Sequence, residues 1–240
     1  MEGVTSMIKE HWDKINHMYD EVQAFDKKQV MEAFYWMILG DGCIEQKLRG
    51  NYQLAISHKV ANHDYVVWKS WIIERVTSCS IKEHSVSGGF GGTHEMVRLR
   101  SSVHPWFTKV WDRIYGTIGR KCIDPHALAL LGPIGLAIIY QDDGSLNITH
   151  REKDNRPNSW IERNLLIHEL CFSKLELEAF AKTVVDKFGI IFRINRCDGK
   201  GLGYRLRLRS SDIDKFIEII EPYVVPSMFY KIGRGSNHVK

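Results

Sequence analysis

Two hundred and forty residues, 44% hydrophobic and 26% charged, with 19 Gly and 6 Pro, suffice for one large domain or two of about 120 residues, and they exclude disorder for the bulk of the chain. The longest mainly apolar stretch, Leu131 to Tyr140, is about half the roughly 20 residues of a membrane-spanning helix and is closed by Asp142, so no membrane partner is expected. Net charge is only +4, and five scattered Cys without CxxC spacing exclude a disulfide framework and a Cys-rich zinc site. The first residues, Met1-Glu2-Gly3-Val4-Thr5-Ser6, carry no targeting pattern, so the expectation is an intracellular, reducing compartment: a bacterial or phage-infected cytoplasm, or an organelle that encodes the chain.

Residues 1–28 read as an N-terminal extension, a solvated helix of mixed charge outside any repeat. Over residues 29–118 the pattern gives a helix at Met31–Asp41 and a hairpin of Cys43–Arg49 and Tyr52–His58 turning at Gly50-Asn51. A helix at Asn62–Val76 follows, then strands Ser80–Ser87 and Glu95–Ser101 around Gly88-Gly89-Phe90-Gly91-Gly92, and a helix at Pro105–Tyr115. Residues 119–131 read as a linker. Over residues 132–240 come a helix at Pro133–Asp143, strands Ser145–His150 and Asn164–Phe172, and a helix at Ser173–Phe188. Strands Ile190–Arg196 and Gly203–Arg209 and a helix at Asp212–Ile220 complete the half. Each half is αββαββα, so the expected class is α+β with two pseudo-symmetric repeats.

Two pairs of segments carry the repeat. Val97-Arg98-Leu99-Arg100-Ser101-Ser102 returns 109 residues later as Leu206-Arg207-Leu208-Arg209-Ser210-Ser211, and the steps Asp41-Gly42 and Asp143-Gly144 are 102 residues apart. In both strands the apolar side must take the helices, which leaves the arginine side open. Between Arg193 and Arg209 six basic residues stand against the single acid Asp198. Such a face suits a phosphate-rich groove, and Arg98, Arg100, Arg193, Arg205, Arg207 and Arg209 are its candidate DNA contacts.

The helix from Pro133 opens with proline in its first turn and closes at Gly144, with Asp142 and Asp143 in its last turn. Carboxylates there meet the exposed carbonyl end of the helix, at a cost of about 0.3–1 kcal/mol each. Asp41 repeats the placement. A divalent cation offsets both the helix dipole and the mutual repulsion, and oxygen ligands suit Mg²⁺, with Mn²⁺ as a substitute.

The windows Phe34–Gly42 and Leu136-Ala137-Ile138-Ile139-Tyr140-Gln141-Asp142-Asp143-Gly144 resemble the two motifs of single-chain LAGLIDADG homing endonucleases. Pro226-Ser227-Met228-Phe229-Tyr230-Lys231 is similar to the branch whose second motif ends in Asp-Asp-Gly. The resemblance implies that the motif helices pack at the interface of the halves and that antiparallel, saddle-shaped sheets lie over DNA. It further implies that Asp41 and Asp143 are the catalytic, metal-binding carboxylates, with the carbonyls of Gly40 and Asp142 as further ligands and Lys121 and Lys231 as catalytic basic residues. The implied function is a monomeric, Mg²⁺-dependent endonuclease that breaks both strands of a long asymmetric target, in intron or intein homing. The rival reading keeps the fold for an intron RNA maturase or a non-cutting DNA-binding protein, with intron RNA as a partner. Tyr35 and Trp36 depart from the family's small residues at the second and third motif positions, while Gly40 and Gly135 can supply close contact.

Other features read as structure. Gly199-Lys200-Gly201-Leu202-Gly203 lacks phosphate-loop spacing and reads as a hairpin loop. His58 and His63, five apart across a strand end, make a poor chelating pair, and Trp68 and Trp71 fit core packing.

Overall fold

Helix α1 spans Glu2–Ala24, and α2 spans Lys27–Leu39. The start of α2 is set by a capping box: the Asp26 carboxylate accepts from the Gln29 amide at 2.8 Å, and the Gln29 side chain accepts from the Asp26 amide at 2.9 Å. The helix therefore begins four residues before the expected Met31, inside the stretch assigned to the extension. Its counterpart α6 (Pro133–Asp143) has only Gly132 at its N-cap, which offers no side chain. Glu32 of α2 fills that role, accepting from the amides of Gly132 at 2.8 Å and Gly135 at 2.5 Å. One motif helix thus caps the other.

The computed structural model describes residues 2–47, 50–88, 92–116, 119–151, 160–197 and 203–234. In the first half, β1 (Cys43–Gln46), β2 (Tyr52–Lys59), β3 (Cys79–Gly88) and β4 (Gly92–Ser101) form an antiparallel sheet in the order β1-β2-β4-β3, with α3 (His63–Glu74) and α4 (Pro105–Ile114). After α5 (Pro125–Leu130) and α6, the second half repeats the plan. Strands β5 (Gly144–Arg151), β6 (Trp160–Leu170), β7 (Phe192–Arg196) and β8 (Tyr204–Leu208) are ordered β5-β6-β8-β7, with α7 (Lys174–Phe188) and α8 (Ile213–Ile220). The chain is α+β with two αββαββα units, as expected. Strand β1 stops three residues short of the expected Arg49, which with the tips 89–91 and 198–202 lies outside the described residues. No described helix is long and apolar enough to cross a membrane.

The packing of α2 on α6 explains how the bulky motif tolerates a close interface. A Cβ on Gly135 would stand 2.4 Å from Cδ1 of Trp36, so the indole occupies the space that glycine leaves, and Trp36 is 1% exposed. Tyr35 turns away to meet Trp106 and His126 edge-on, at ring distances of 5.8 and 5.3 Å. Burying a side chain of this size stabilises the fold by about 1.5–3 kcal/mol.

One sequence expectation needs correction. Helix α1 is not simply solvated: Met18 and Val22 are buried, Tyr19 meets Trp71 edge-on at 5.1 Å, and Arg75 donates to the carbonyls of Val22 and Gln23 at 2.8 and 2.6 Å. The alternating charges concealed an apolar stripe that needs α3 as its partner. The linker contains α5, whose carbonyl end is held by Lys187, with Nζ at 2.7 Å from Ala129 and 2.8 Å from Leu131. Gly144 closes α6 as expected, with φ −87°; a Cβ there would lie 2.1 Å from the Tyr140 ring, so close approach requires the glycine.

The sheets also match differently from the sequence repeat. Ladder rows counted from the motif ends give Cys43–Ala55–Arg100 in one half and Ser145–Leu166–Arg207 in the other. Arg100 is structurally equivalent to Arg207, two residues from the partner suggested by the Arg-Ser-Ser alignment.

Candidate active site

Helices α2 and α6 end side by side, which brings Asp41 and Asp143 to one end of the interface. Burial, and then the neighbouring Asp142 carboxylate, pushes the Asp41 pKa up to about 6. Burial with the charges of Asp142 and Asp41 pushes Asp143 up to about 7. Both carboxylates resist ionisation because burial strips their water and neighbouring carboxylates repel their charge, which the nearby lysines offset only in part, and hard oxygen donors in that state fit a divalent cation.

Each helix end also receives a lysine. Lys121 Nζ donates to the Gly40 carbonyl at 2.5 Å, and Lys231 Nζ donates to the carbonyls of Gln141 at 2.6 Å and Asp142 at 3.3 Å. The carbonyls and the lysines expected as separate ligands and catalysts are thus partners of one another. Glu176, the third residue of the α7 capping box, fixes the segment around Lys121: it accepts from the Ile123 amide at 2.9 Å and from Arg120 at 3.0 Å. Lys231 lies in the 3₁₀ segment Pro226–Ile232, anchored by Tyr140, whose hydroxyl donates to the Lys231 carbonyl at 2.6 Å. Gln141 accepts from the Val225 amide at 2.9 Å and donates to the Tyr223 carbonyl at 3.0 Å.

The side chain of Asp142 takes no part in this symmetry. It crosses into the first half, where it is 0% exposed, and pairs with Lys69 at 2.7 Å. It also accepts from the Tyr65 hydroxyl at 2.9 Å and from the Asp41 amide at 3.0 Å. Burial alone would raise its pKa, but Lys69 and then His58 outweigh that and hold it below the usual carboxylate range. His58 lies 3.1 Å from Lys69 through Nε2 and 3.6 Å from the Asp41 carboxylate through Nδ1. Burial, followed by Lys69, lowers the His58 pKa to about 3, so the imidazole is neutral. A lysine ammonium only donates, which makes Nε2 the acceptor and leaves the ring hydrogen on Nδ1, facing Asp41. Asp41, His58 and Asp142 each bring a ligand atom within 4.8 Å of the others, but Lys69 already contacts both His58 and Asp142. Among the described residues, Asp41 and Asp143 are the carboxylates of this cluster without a lysine ion pair, which leaves them available as ligands.

Sequence reasoning missed Lys69 and Tyr65 and set His58 aside. The available signals were a lysine inside the apolar run Tyr65–Ile73, and a histidine that shares a strand face with Leu54 and Ile56. His63, its supposed partner, lies instead 4.0 Å from Glu83.

The arginines occupy the helix-free faces of the two sheets. Arg98 and Arg100 alternate with buried Val97 and Leu99, and Arg205 and Arg207 with buried Leu206 and Leu208. In the first sheet Glu45 pairs with Arg98, lies 3.7 Å from Arg100 and accepts from Gln53 at 2.8 Å. In the second, Arg207 donates to Asn164 and lies directly across the ladder from Arg193, while Arg205 lies across from Asn195. Like charges facing each other across a ladder are destabilising until an anion lies over them. Asn147, Glu162 and Leu166 line the same depression with Asn164, Asn195, Arg205 and Arg207. Arg209 lies beyond the end of β8, and its guanidinium pairs with Asp212 at 2.7 Å.

Residues 31–216 match the model of the LAGLIDADG DNA endonuclease family. A probable intron-encoded DNA endonuclease 3 of Mycosarcoma maydis is 30% identical over 135 residues, covering 55% of this chain and 88% of the relative. A cytochrome b mRNA maturase bI2 of Debaryomyces hansenii is 21% identical over 86% of this chain and 74% of its own length. A Protein RecA of Mycolicibacterium chitae is 22% identical over 89% of this chain, which spans only 49% of that relative. Among solved structures, the homing endonuclease I-WcaI bound to its DNA recognition sequence superposes with a TM-score of 0.70 at 20% identity, covering 89% of this chain and 90% of that one. That likeness shows a shared fold, and the family match over most of the sequence establishes that this chain belongs to the LAGLIDADG DNA endonuclease family.

Proposed function

We propose that the protein is a site-specific DNA endonuclease that breaks both strands of a long, asymmetric target by metal-dependent hydrolysis, acting as a monomer. The observation that carries this reading is the meeting of Asp41 and Asp143 at the ends of two packed helices, each end with its own lysine. Asp41 and Asp143 would hold Mg²⁺, or Mn²⁺ in its place. When bound, the cation supplies charge stabilisation at the phosphate and a more acidic water.

The chain's own residues supply the rest. Lys121 and Lys231 place ammonium groups beside the two carboxylates, where they can stabilise charge that develops in the transition state. Arg98, Arg100, Arg193, Arg205 and Arg207 present donors on the open sheet faces for phosphates and base edges, and Asn164 and Asn195 add amide groups able to read adenine. Unequal sheet faces permit an asymmetric target. A second reading, intron RNA maturation with RNA as a further partner, is favoured by the likeness to the maturase of Debaryomyces hansenii. Selecting cleaved sites from a randomised duplex library in Mg²⁺ tests the proposal: a defined cut sequence is expected, and no enrichment over the Asp41→Asn/Asp143→Asn variant contradicts it.

A further inference from the structure

The two halves share a fold but not the residue before the motif aspartate, which is Gly40 in one and Asp142 in the other. A Cβ on Gly40 would lie 2.2 Å from Oδ2 of Asp142, so the second-motif carboxylate occupies the space that the first motif leaves empty. From there it accepts from the Asp41 amide at 3.0 Å, and its other oxygen is held by Lys69 at 2.7 Å and Tyr65 at 2.9 Å. The holders are rigidly placed. Lys69 and Tyr65 are 0% exposed, one turn apart on α3, and Lys69 lies 4.1 Å from the Tyr65 ring centre. Asp41 has no such arm to extend towards Asp143, because Gly40 has no side chain.

We propose that Asp142 is a positioning residue for the Asp41 site. The second motif reaches across the interface and fixes the backbone at the end of α2, with Lys69 and Tyr65 as its anchors. The inference rests on the endonuclease reading only for its catalytic consequence. The Asp41 amide is held from the opposite half, whereas the end of α6 is also held within its own half by Lys231, Val225 and Tyr223, so the strand served by Asp41 depends on Asp142 more than the other does. Displacing a reacting group by about 1 Å costs on the order of 100-fold, so loss of the tether is expected to slow that strand by at least about tenfold.

The test compares Asp142→Ala, which removes the acceptor, with Lys69→Met/Asp142→Asn, which keeps one oxygen for the Asp41 amide and leaves no buried ammonium against the amide NH2. Two readouts are taken in the full chain: hydrogen exchange of the Asp41 amide, and single-turnover cleavage of a duplex labelled separately on each strand. The strand served by Asp41 is the one left intact by Asp41→Asn. Asp142→Ala is expected to expose the Asp41 amide while the amides of α3 keep their protection, and to slow the Asp41 strand about tenfold with the other strand within about threefold. Lys69→Met/Asp142→Asn is expected to restore both readouts. If Asp142→Ala does not fold because Lys69 is left unpaired, Lys69→Met/Asp142→Ala removes both charges and is expected to show the same pattern. An Asp41 amide that stays protected, or equal slowing of both strands, overturns the proposal. If the parent chain cuts no duplex, the endonuclease reading fails, and amide exchange alone decides whether Asp142 positions Asp41.

Discussion

The ends of α2 and α6 are alike in outline and unlike in chemistry. Both present an aspartate followed by glycine, and both receive a lysine on their last carbonyls. Yet the α2 end is tied to a buried Asp142–Lys69–His58–Tyr65 cluster, while the α6 end has Ser145 bonded to His168 at 2.7 Å on the strand that leaves it. A repeated fold therefore fixes where the two motif aspartates stand without making their surroundings equivalent. One glycine in one motif suffices to break the symmetry.

The comparison can be broken most severely at Lys69. Lys69→Met strands the buried Asp142 charge and is expected to cost about 3–5 kcal/mol in chemical denaturation, whereas Lys69→Met/Asp142→Asn, which removes both charges, is expected to recover most of it. The pH dependence of the metal-free protein comes next. Asp41, Asp143 and Glu32 have folded-state pKa values raised to about 6, 7 and 7, in each case chiefly by burial. Through these three groups the folded chain binds more protons than the unfolded chain, which outweighs the opposite effect of His58, lowered to about 3, so the melting temperature should fall as pH rises from about 4 through about 7. A divalent cation should offset that fall, with a larger gain at pH 8 than at pH 5, and a flat profile would contradict the raised values. Glu32→Ala leaves the Gly132 and Gly135 amides without their acceptor and should cost about 1–3 kcal/mol, read by denaturation.

Smaller effects sharpen the contrast between the sheets. Arg207→Ala is expected to weaken DNA binding by about 1–3 kcal/mol if the arginine reads a guanine, or to flatten the salt dependence by about one unit of slope if it meets phosphate. Arg209→Ala, whose guanidinium serves Asp212, should change stability by about 0–1 kcal/mol and leave the salt slope unchanged.

Much of this was legible in the sequence because period and punctuation are local. Alternating Arg and Leu marks a half-buried strand, and Asp-Gly after an apolar helix marks a motif end, so the αββαββα order could be written down unaided. The Asp142 arm could not, because its partners Tyr65 and Lys69 stand 77 and 73 residues away and only the tertiary fold brings them together. Helix α1 misled for a related reason: Met18 and Val22 acquire a core only once α3 and Arg75 are in place. Arg209 lies at the exit of a strand, where a nearby acid captures it.

The central claim is that each motif aspartate serves one strand. It is tested most directly by Asp41→Asn and Asp143→Asn, assayed on a strand-labelled duplex in Mg²⁺ with binding measured in Ca²⁺. The account predicts that neither variant breaks both strands, that any residual nick falls on opposite strands in the two variants, and that both bind the duplex as the parent does. Double-strand cleavage by either variant at near the parental rate would contradict it.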